Sequence, residues 1–310
     1  MTAHLWITLG LALATGMALS RANMCFMRAA HAVSEGRYHP LVNVLLTVAA
    51  ATVVFSVTGR LGMRDPAPWL LPGVTTVVGA ILFAIGARLN GACTIGTMGR
   101  LAHGDIGALA TFAGGALAVL VTPRAPAMGA QPAWFPGVEL YWVGIVVLVA
   151  LVALAMLLRG EEKLERTVET ILLGGFAALL YSLRGQTSLM DAASAVAREG
   201  TMHEPVVVAL AGLFVGAIGV SIATGRFHLS LARPRRIPFE FFGGALMTAG
   251  ALSIPGASDV VAFYGLPSGS PHAVVAWIVI LVTVAFSFRL TGSHMWSRVF
   301  PQKADPAGAR

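Results

Sequence analysis

This chain of 310 residues holds two cysteines, and each follows an apolar segment. Cys93 is the centre of the tract Arg88-Leu89-Asn90-Gly91-Ala92-Cys93-Thr94-Ile95-Gly96-Thr97-Met98-Gly99-Arg100. Cys25 closes the tract Arg21-Ala22-Asn23-Met24-Cys25. A thiol is a weak hydrogen-bond donor and a soft, polarizable contact. Asn23, Asn90 and Thr94 add neutral donors beside the two sulfurs. Glycine lets backbone turn tightly and approach another group closely. Irregular backbone at membrane depth is tolerated only where protein or a polar cavity satisfies its N–H and C=O groups. The Cys93 tract therefore reads as the lining of a pathway or binding site, with Arg21 and Arg100 placed to attract an anion at its edges. Each residue also has a plainer role. The cysteines could be small core residues, the arginines topology anchors, and Asn23, Asn90 and Thr94 partners for broken helix ends.

The tract has a faded copy. Gly79-Ala80-Ile81-Leu82 and Gly91-Ala92-Cys93-Thr94 recur, 165 residues later, as Gly244-Ala245-Leu246-Met247 and Gly256-Ala257-Ser258-Asp259. This alignment sets Cys93 on Ser258 and Thr94 on Asp259. A weaker pair at an offset of 163 sets Arg21 on Arg184 and Cys25 on Ser188. Two pairs in one order argue for a duplicated unit, a common way to build a transporter with its site at the repeat interface. Asp259 is an intramembrane acid, a functional candidate by default. It faces either a proton-coupling role or the capping of a half-helix. His272, after Ser270-Pro271, reads as a cap or interface anchor.

Other chemistries lack their residues. Two cysteines some 70 positions apart with no paired histidine spacing are no metal motif. A Cys25–Cys93 disulfide is disfavoured in a reducing compartment. Gly96-Thr97-Met98-Gly99-Arg100 lacks the Lys-Ser/Thr ending of a phosphate-binding loop. There is no catalytic triad or paired-carboxylate site, so the expectation is a non-enzyme without cofactor or metal.

The elements that must position these residues are membrane helices. Hydrophobic residues make up 56%, charged residues 11%, and the mean hydropathy is +0.78. A soluble domain of this length would need far more surface charge. Apolar runs predict about nine spans, near 4–20, 41–58, 73–89, 105–122, 138–158, 168–183, 205–224, 239–254 and 272–289. The runs ending near 89, 183 and 254 are short, and each leads into a repeated motif, as broken or re-entrant helices do. Trp6, Trp69, Trp134, Trp142, Trp277 and Trp296 lie near span ends as interface belts. Sixteen of the 21 basic residues fall on one set of loops plus the tail, and five on the other. The richer side should be cytoplasmic. This places the C-terminus inside and accounts for the net charge of +7 without nucleic acid. The span before Arg21 then enters the cytoplasm while the one before Arg184 leaves it, so the halves are inverted. The expected architecture is an all-α polytopic membrane domain over 1–310, with halves 1–158 and 168–289, a polar hinge over 159–166 and a cytoplasmic tail 290–310.

These motifs resemble the YeeE/YedE family, which carries the sulfur-transport domain. The likeness rests on Arg21 to Phe26, on Gly91-Ala92-Cys93-Thr94-Ile95-Gly96 with Arg100, and on Pro255-Gly256-Ala257-Ser258-Asp259 through Gly265-Leu266-Pro267 to Ser270-Pro271-His272-Ala273. The resemblance implies a multi-pass protein of the bacterial inner membrane that takes up a small sulfur-containing anion, thiosulfate first. Cys25 and Cys93 would be its pathway thiols. The third pathway cysteine that the resemblance leads one to expect is absent, and Ser188 and Ser258 stand where the repeat places further thiols. Weak S–H and O–H donors suit a soft anion that must be bound and then released. A rival from another class is a membrane sulfur-transfer protein that passes persulfide sulfur to a small cytoplasmic carrier protein. A third is a scaffold or channel for another ion with the cysteines inert, and a further alternative is a transporter of another sulfur or selenium species.

Overall fold

The duplication read from the sequence governs how the helices pack. The computed structural model describes residues 2–22, 24–63, 70–122, 140–157, 164–184, 204–231, 234–254 and 256–299. The first half holds α1 (Thr2–Ala22), α2 (Phe26–Ser34), α3 (His39–Arg60), α4 (Val74–Asn90), α5 (Thr94–Ala102) and α6 (Ala108–Val121). Then come α7 (Leu140–Leu157), α8 (Leu164–Arg184), α9 (Glu204–Ala223) and α10 (Ile237–Ser253). Last are α11 (Ser258–Val260), which winds on as a π-helical turn over Val261–Gly265, and α12 (Pro271–Val299). Among the described residues there is no strand, only an isolated bridge between Asp105 and Ser230. Proline sits in the first turn of α3, α10 and α12, where its missing N–H costs no helical bond.

Each of the nine apolar runs carries a helix. Among the described residues six stretches are long and apolar enough to cross a membrane, or seven if α10 and α11, bent by 47°, form one span. Two of the six join a long and a short helix across a break, α1 with α2 and α4 with α5. With 14 residues, α6 is shorter than a full crossing. Outward positions carry Val74, Val121, Val215, Val282 and Phe286, all exposed, as a lipid-facing surface requires. The hinge over 159–166 and the tail beyond 299 lie largely outside the described residues.

Exchanging the halves returns the same neighbours. Helix α1 packs along α9 as α8 packs along α3, and α4 packs on α12 as α10 packs on α6. The equivalent helices α1 and α8 touch each other, as do α4 and α10. Both of these pairs run antiparallel. A Cβ added at Gly86 would meet the Met247 backbone N at 2.5 Å, and one added at Gly250 would meet the Phe83 N at 2.6 Å. The paired glycines are Gly79 against Gly250 and Gly86 against Gly243, so α4 and α10 cross backbone to backbone. On the other pair, Arg21 near the end of α1 meets Glu169 near the start of α8 at 3.6 Å. Arg184 at the end of α8 donates to Thr8 Oγ1 and to the His4 carbonyl near the start of α1. Equivalent helices that cross antiparallel are what two inverted repeats produce, so the protein is an all-α membrane fold of two inverted halves.

Candidate functional site

The breaks after α1 and α4 bring the two thiols together. Cys25 precedes α2 and Cys93 precedes α5, each with extended backbone (φ −151°, ψ 124° and φ −76°, ψ 179°). Their carbonyls accept the first helical bonds, from Ala29 at 3.0 Å and Thr97 at 2.8 Å. The two Sγ atoms lie 3.6 Å apart. Cys93 is buried and Cys25 half-buried. Gly96, one turn into α5, makes this approach feasible, because a Cβ there would lie 2.6 Å from the Cys25 sulfur.

Side chains knit the Cys93 break. Helix α4 ends at Gly91, whose φ of +81° a residue with a side chain rarely adopts. Asn90, fully buried, donates from Nδ2 to the Ala92 carbonyl at 2.9 Å and to Thr97 Oγ1 at 2.8 Å. Its Oδ1 accepts from Thr111 Oγ1 at 2.6 Å. Arg100 donates from Nη1 to the Asn90 carbonyl at 3.1 Å. Its Nε reaches Asp105 Oδ2 at 3.0 Å, and Nη2 bonds both Asp105 and the buried Glu240. These bonds stand in for the backbone partners that a broken helix loses. Asn90 and Arg100 are therefore committed to holding the break, and Arg21 to the α1–α8 crossing; none of the three is placed beside the sulfurs as a donor.

Four buried hydroxyls among the described residues lack a partner, those of Ser20, Thr94, Ser221 and Ser258, and two of them open the short helices. Thr94 Oγ1 and Ser258 Oγ are buried, and among the described residues neither has a hydrogen-bond partner. Thr94 opens α5 and Ser258 opens α11, so they are equivalent by helix start. The residue before each helix agrees: Ala257 has φ −75° and ψ 177°, matching Cys93. The letter alignment of Gly91-Ala92 with Gly256-Ala257 is thus one residue out of step with the helices. Cys93 of the first half corresponds to Ala257 in the second, and Thr94 corresponds to Ser258 in place of Asp259.

Asp259 then corresponds to Ile95, and both line one cavity between the halves. Its other walls come from Thr15 and Leu19 of α1, Met98 of α5, Leu173, Ala177, Leu180 and Tyr181 of α8, Leu213 of α9 and Phe263. Tyr181 Oη donates to Asp259 Oδ2 at 3.2 Å. His272 Nδ1 lies 2.7 Å from Ser270 Oγ, at the head of α12. Ser188 and Asn23 lie outside the described residues. Sequence reasoning missed Tyr181, Asp105 and Glu240. Only Glu240 carried a signal, as an acid inside an apolar helix.

No group of three or more histidine, cysteine or acidic residues suited to a metal occurs among the described residues. No curated protein matches the chain. A family described as sulphur transport matches it twice, over residues 21–138 and 124–286. The two matches, which overlap over residues 124–138, together span most of the sequence, so this multi-pass helical protein belongs to the YeeE/YedE sulphur-transport family.

Proposed function

We propose that this protein carries a small sulfur-containing anion, thiosulfate first, into the cytoplasm across the bacterial inner membrane. One observation carries the reading: the only two thiols of a sulphur-transport chain meet at 3.6 Å, at the starts of two helices in broken spans. Neutral S–H and O–H groups bind an anion weakly enough to let it go again, whereas an unpaired buried arginine would retain it. Thr94 and Ser258 offer hydroxyls without partners at equivalent helix starts. Asn23, two residues before Cys25, and Ser188, the repeat counterpart of Cys25, complete the proposed donors, and Asp259 with Tyr181 forms the polar wall of the cavity between the halves. Arg21 and Arg100 support the path indirectly, through the α1–α8 crossing and the break that their ion pairs hold. The thiols act as donors and form no covalent intermediate, so the protein works as a transporter and not as an enzyme. The basic loops and the tail face the cytoplasm, following the charge asymmetry.

The test is growth of a strain stripped of other uptake systems. Thiosulfate, sulfite, sulfate or a selenium species would be the sole source, with uptake of labelled thiosulfate measured in parallel. Growth on thiosulfate that disappears with Cys93→Ala at unchanged membrane abundance is the expected result. Growth on sulfite alone, or uptake unaltered by loss of both thiols, would refute the proposal.

A further inference from the structure

We infer that Cys25 and Cys93 are a reversible disulfide site, and that the bond closes the pathway. The closure rests on the proposed reading of these thiols as pathway donors; the bond itself rests on geometry alone. The sulfurs are 3.6 Å apart. A disulfide brings them to about 2.05 Å, an approach of roughly 1.5 Å. Each cysteine is the non-helical residue ahead of its helix, so the movement breaks no helical turn of its own. Helices α2 and α5 are already in contact, and Gly96 leaves the Cys25 sulfur resting on α5 with no side chain between them.

The chemistry balances with a hydroperoxide as oxidant. The sulfur of Cys25, the more accessible of the two, attacks the O–O bond of hydrogen peroxide. A sulfenic acid forms and one water leaves. The Cys93 sulfur then attacks the sulfenic sulfur. The S–S bond forms, the S–O bond breaks, and the departing hydroxide takes the Cys93 proton as a second water. Two thiols lose two electrons and one peroxide gains them. The product has no S–H donor at either position and ties α2 to α5. A small thiol reductant reverses the step by exchange. The resting protein stays reduced, as its compartment requires, and closes only when peroxide rises.

The test uses the full chain in proteoliposomes exposed to hydrogen peroxide, then to dithiothreitol. Three quantities are read: the intact mass, the Cys25–Cys93 linked peptide under non-reducing digestion, and uptake of labelled thiosulfate. The expected result is the loss of two hydrogens in mass, the linked peptide, and at least a tenfold fall in uptake, all reversed by dithiothreitol. Cys25→Ser and Cys93→Ser should show no peroxide-dependent change in whatever uptake they retain. Sulfinic or sulfonic acid on either cysteine in place of the linked peptide would overturn the inference. So would a linked peptide in a protein whose uptake is undiminished. Absence of uptake in the reduced protein would instead defeat the transport reading and with it the closure, while the linked peptide still decides whether the bond forms.

Discussion

Thr94→Val separates a ligand from a structural residue more cleanly than any cysteine substitution does. Thr94 is fully buried, and among the described residues its Oγ1 has no hydrogen-bond partner. Valine replaces that hydroxyl with a methyl of similar size and leaves the helix start in place. Burying an unsatisfied polar group costs about 1–3 kcal/mol, so the variant should be more stable by about that amount. Its thermal unfolding in detergent should move upward. Uptake should move the other way. Losing one neutral hydrogen bond to the passing anion is worth about 0.5–1.5 kcal/mol, which is about a two- to twelvefold fall in rate. The assay pairs initial uptake of labelled thiosulfate with a thermal shift on the same purified sample. A gain in stability with unchanged uptake would remove Thr94 from the pathway. A loss of stability would mean that its hydroxyl holds the fold, and the reasoning from an unpartnered group would fail. Thr94→Ser, which keeps the hydroxyl, should retain most of the uptake.

Four further outcomes are expected. Cys93→Ser should retain partial uptake while Cys93→Ala and Cys93→Val lose it at normal abundance by immunoblot; activity in the valine variant would assign Cys93 to packing. Gly86→Val should abolish folded protein in size-exclusion chromatography, because its Cβ would lie 2.5 Å from the Met247 N and α4 and α10 would have to separate. Glu240→Ala should lower stability by about 1–3 kcal/mol, less than the cost of isolating a buried charge because Arg100 keeps Asp105 and the Asn90 carbonyl; an unchanged thermal unfolding midpoint would mean that Asp105 suffices for Arg100. An impermeant maleimide should label Leu229→Cys from the cytoplasmic side and Met63→Cys from the opposite side, and labelling of both from one side would break the assigned orientation.

Apolar runs located the helices well, because length and hydropathy are properties of a segment by itself. Two of the breaks were legible too: α4 ends at Gly91 and α10 near 254, where the sequence implied, while the break between α1 and α2 was not foreseen and the one expected after 183 lies outside the described residues. The register between the repeats was not. Letter matching sets an offset of 165 residues and therefore Cys93 on Ser258, but the short helices begin 164 residues apart, at Thr94 and Ser258. Glycine and alanine are common enough in such segments for a short motif to match one position out of register, and that slip changes every pairing it touches. The commitments of the polar residues were hidden for a different reason. Asn90 finds Thr97 and Thr111, and Arg100 finds Asp105 and Glu240, the last 140 positions away, through folding alone. Sequence could place those residues at a break, but not say whether their donors were spent on protein or kept for an ion.

What duplication preserved here is geometry, and what it released is chemistry. Both halves keep a glycine with positive φ ahead of the short helix, Gly91 at +81° and Gly256 at +145°. Both keep the same backbone dihedrals just before that helix and an unpartnered hydroxyl at its first residue. An inverted pair must share these features, because each half packs against the other through the same antiparallel crossings. The side chains at the breaks carry no such constraint. The first half has a thiol where the second has Ala257, and the second has a carboxyl where the first has Ile95. Ile95 and Asp259 line one cavity, so the two halves present unlike surfaces to a common space. The phenol–carboxyl pair of Tyr181 and Asp259 comes wholly from the second half, while α5 of the first offers only Ile95 and Met98 to the same cavity. On the transport reading proposed above, that asymmetry would let a nearly symmetric scaffold treat its two directions differently, since identical halves would bind an ion equally well from either face.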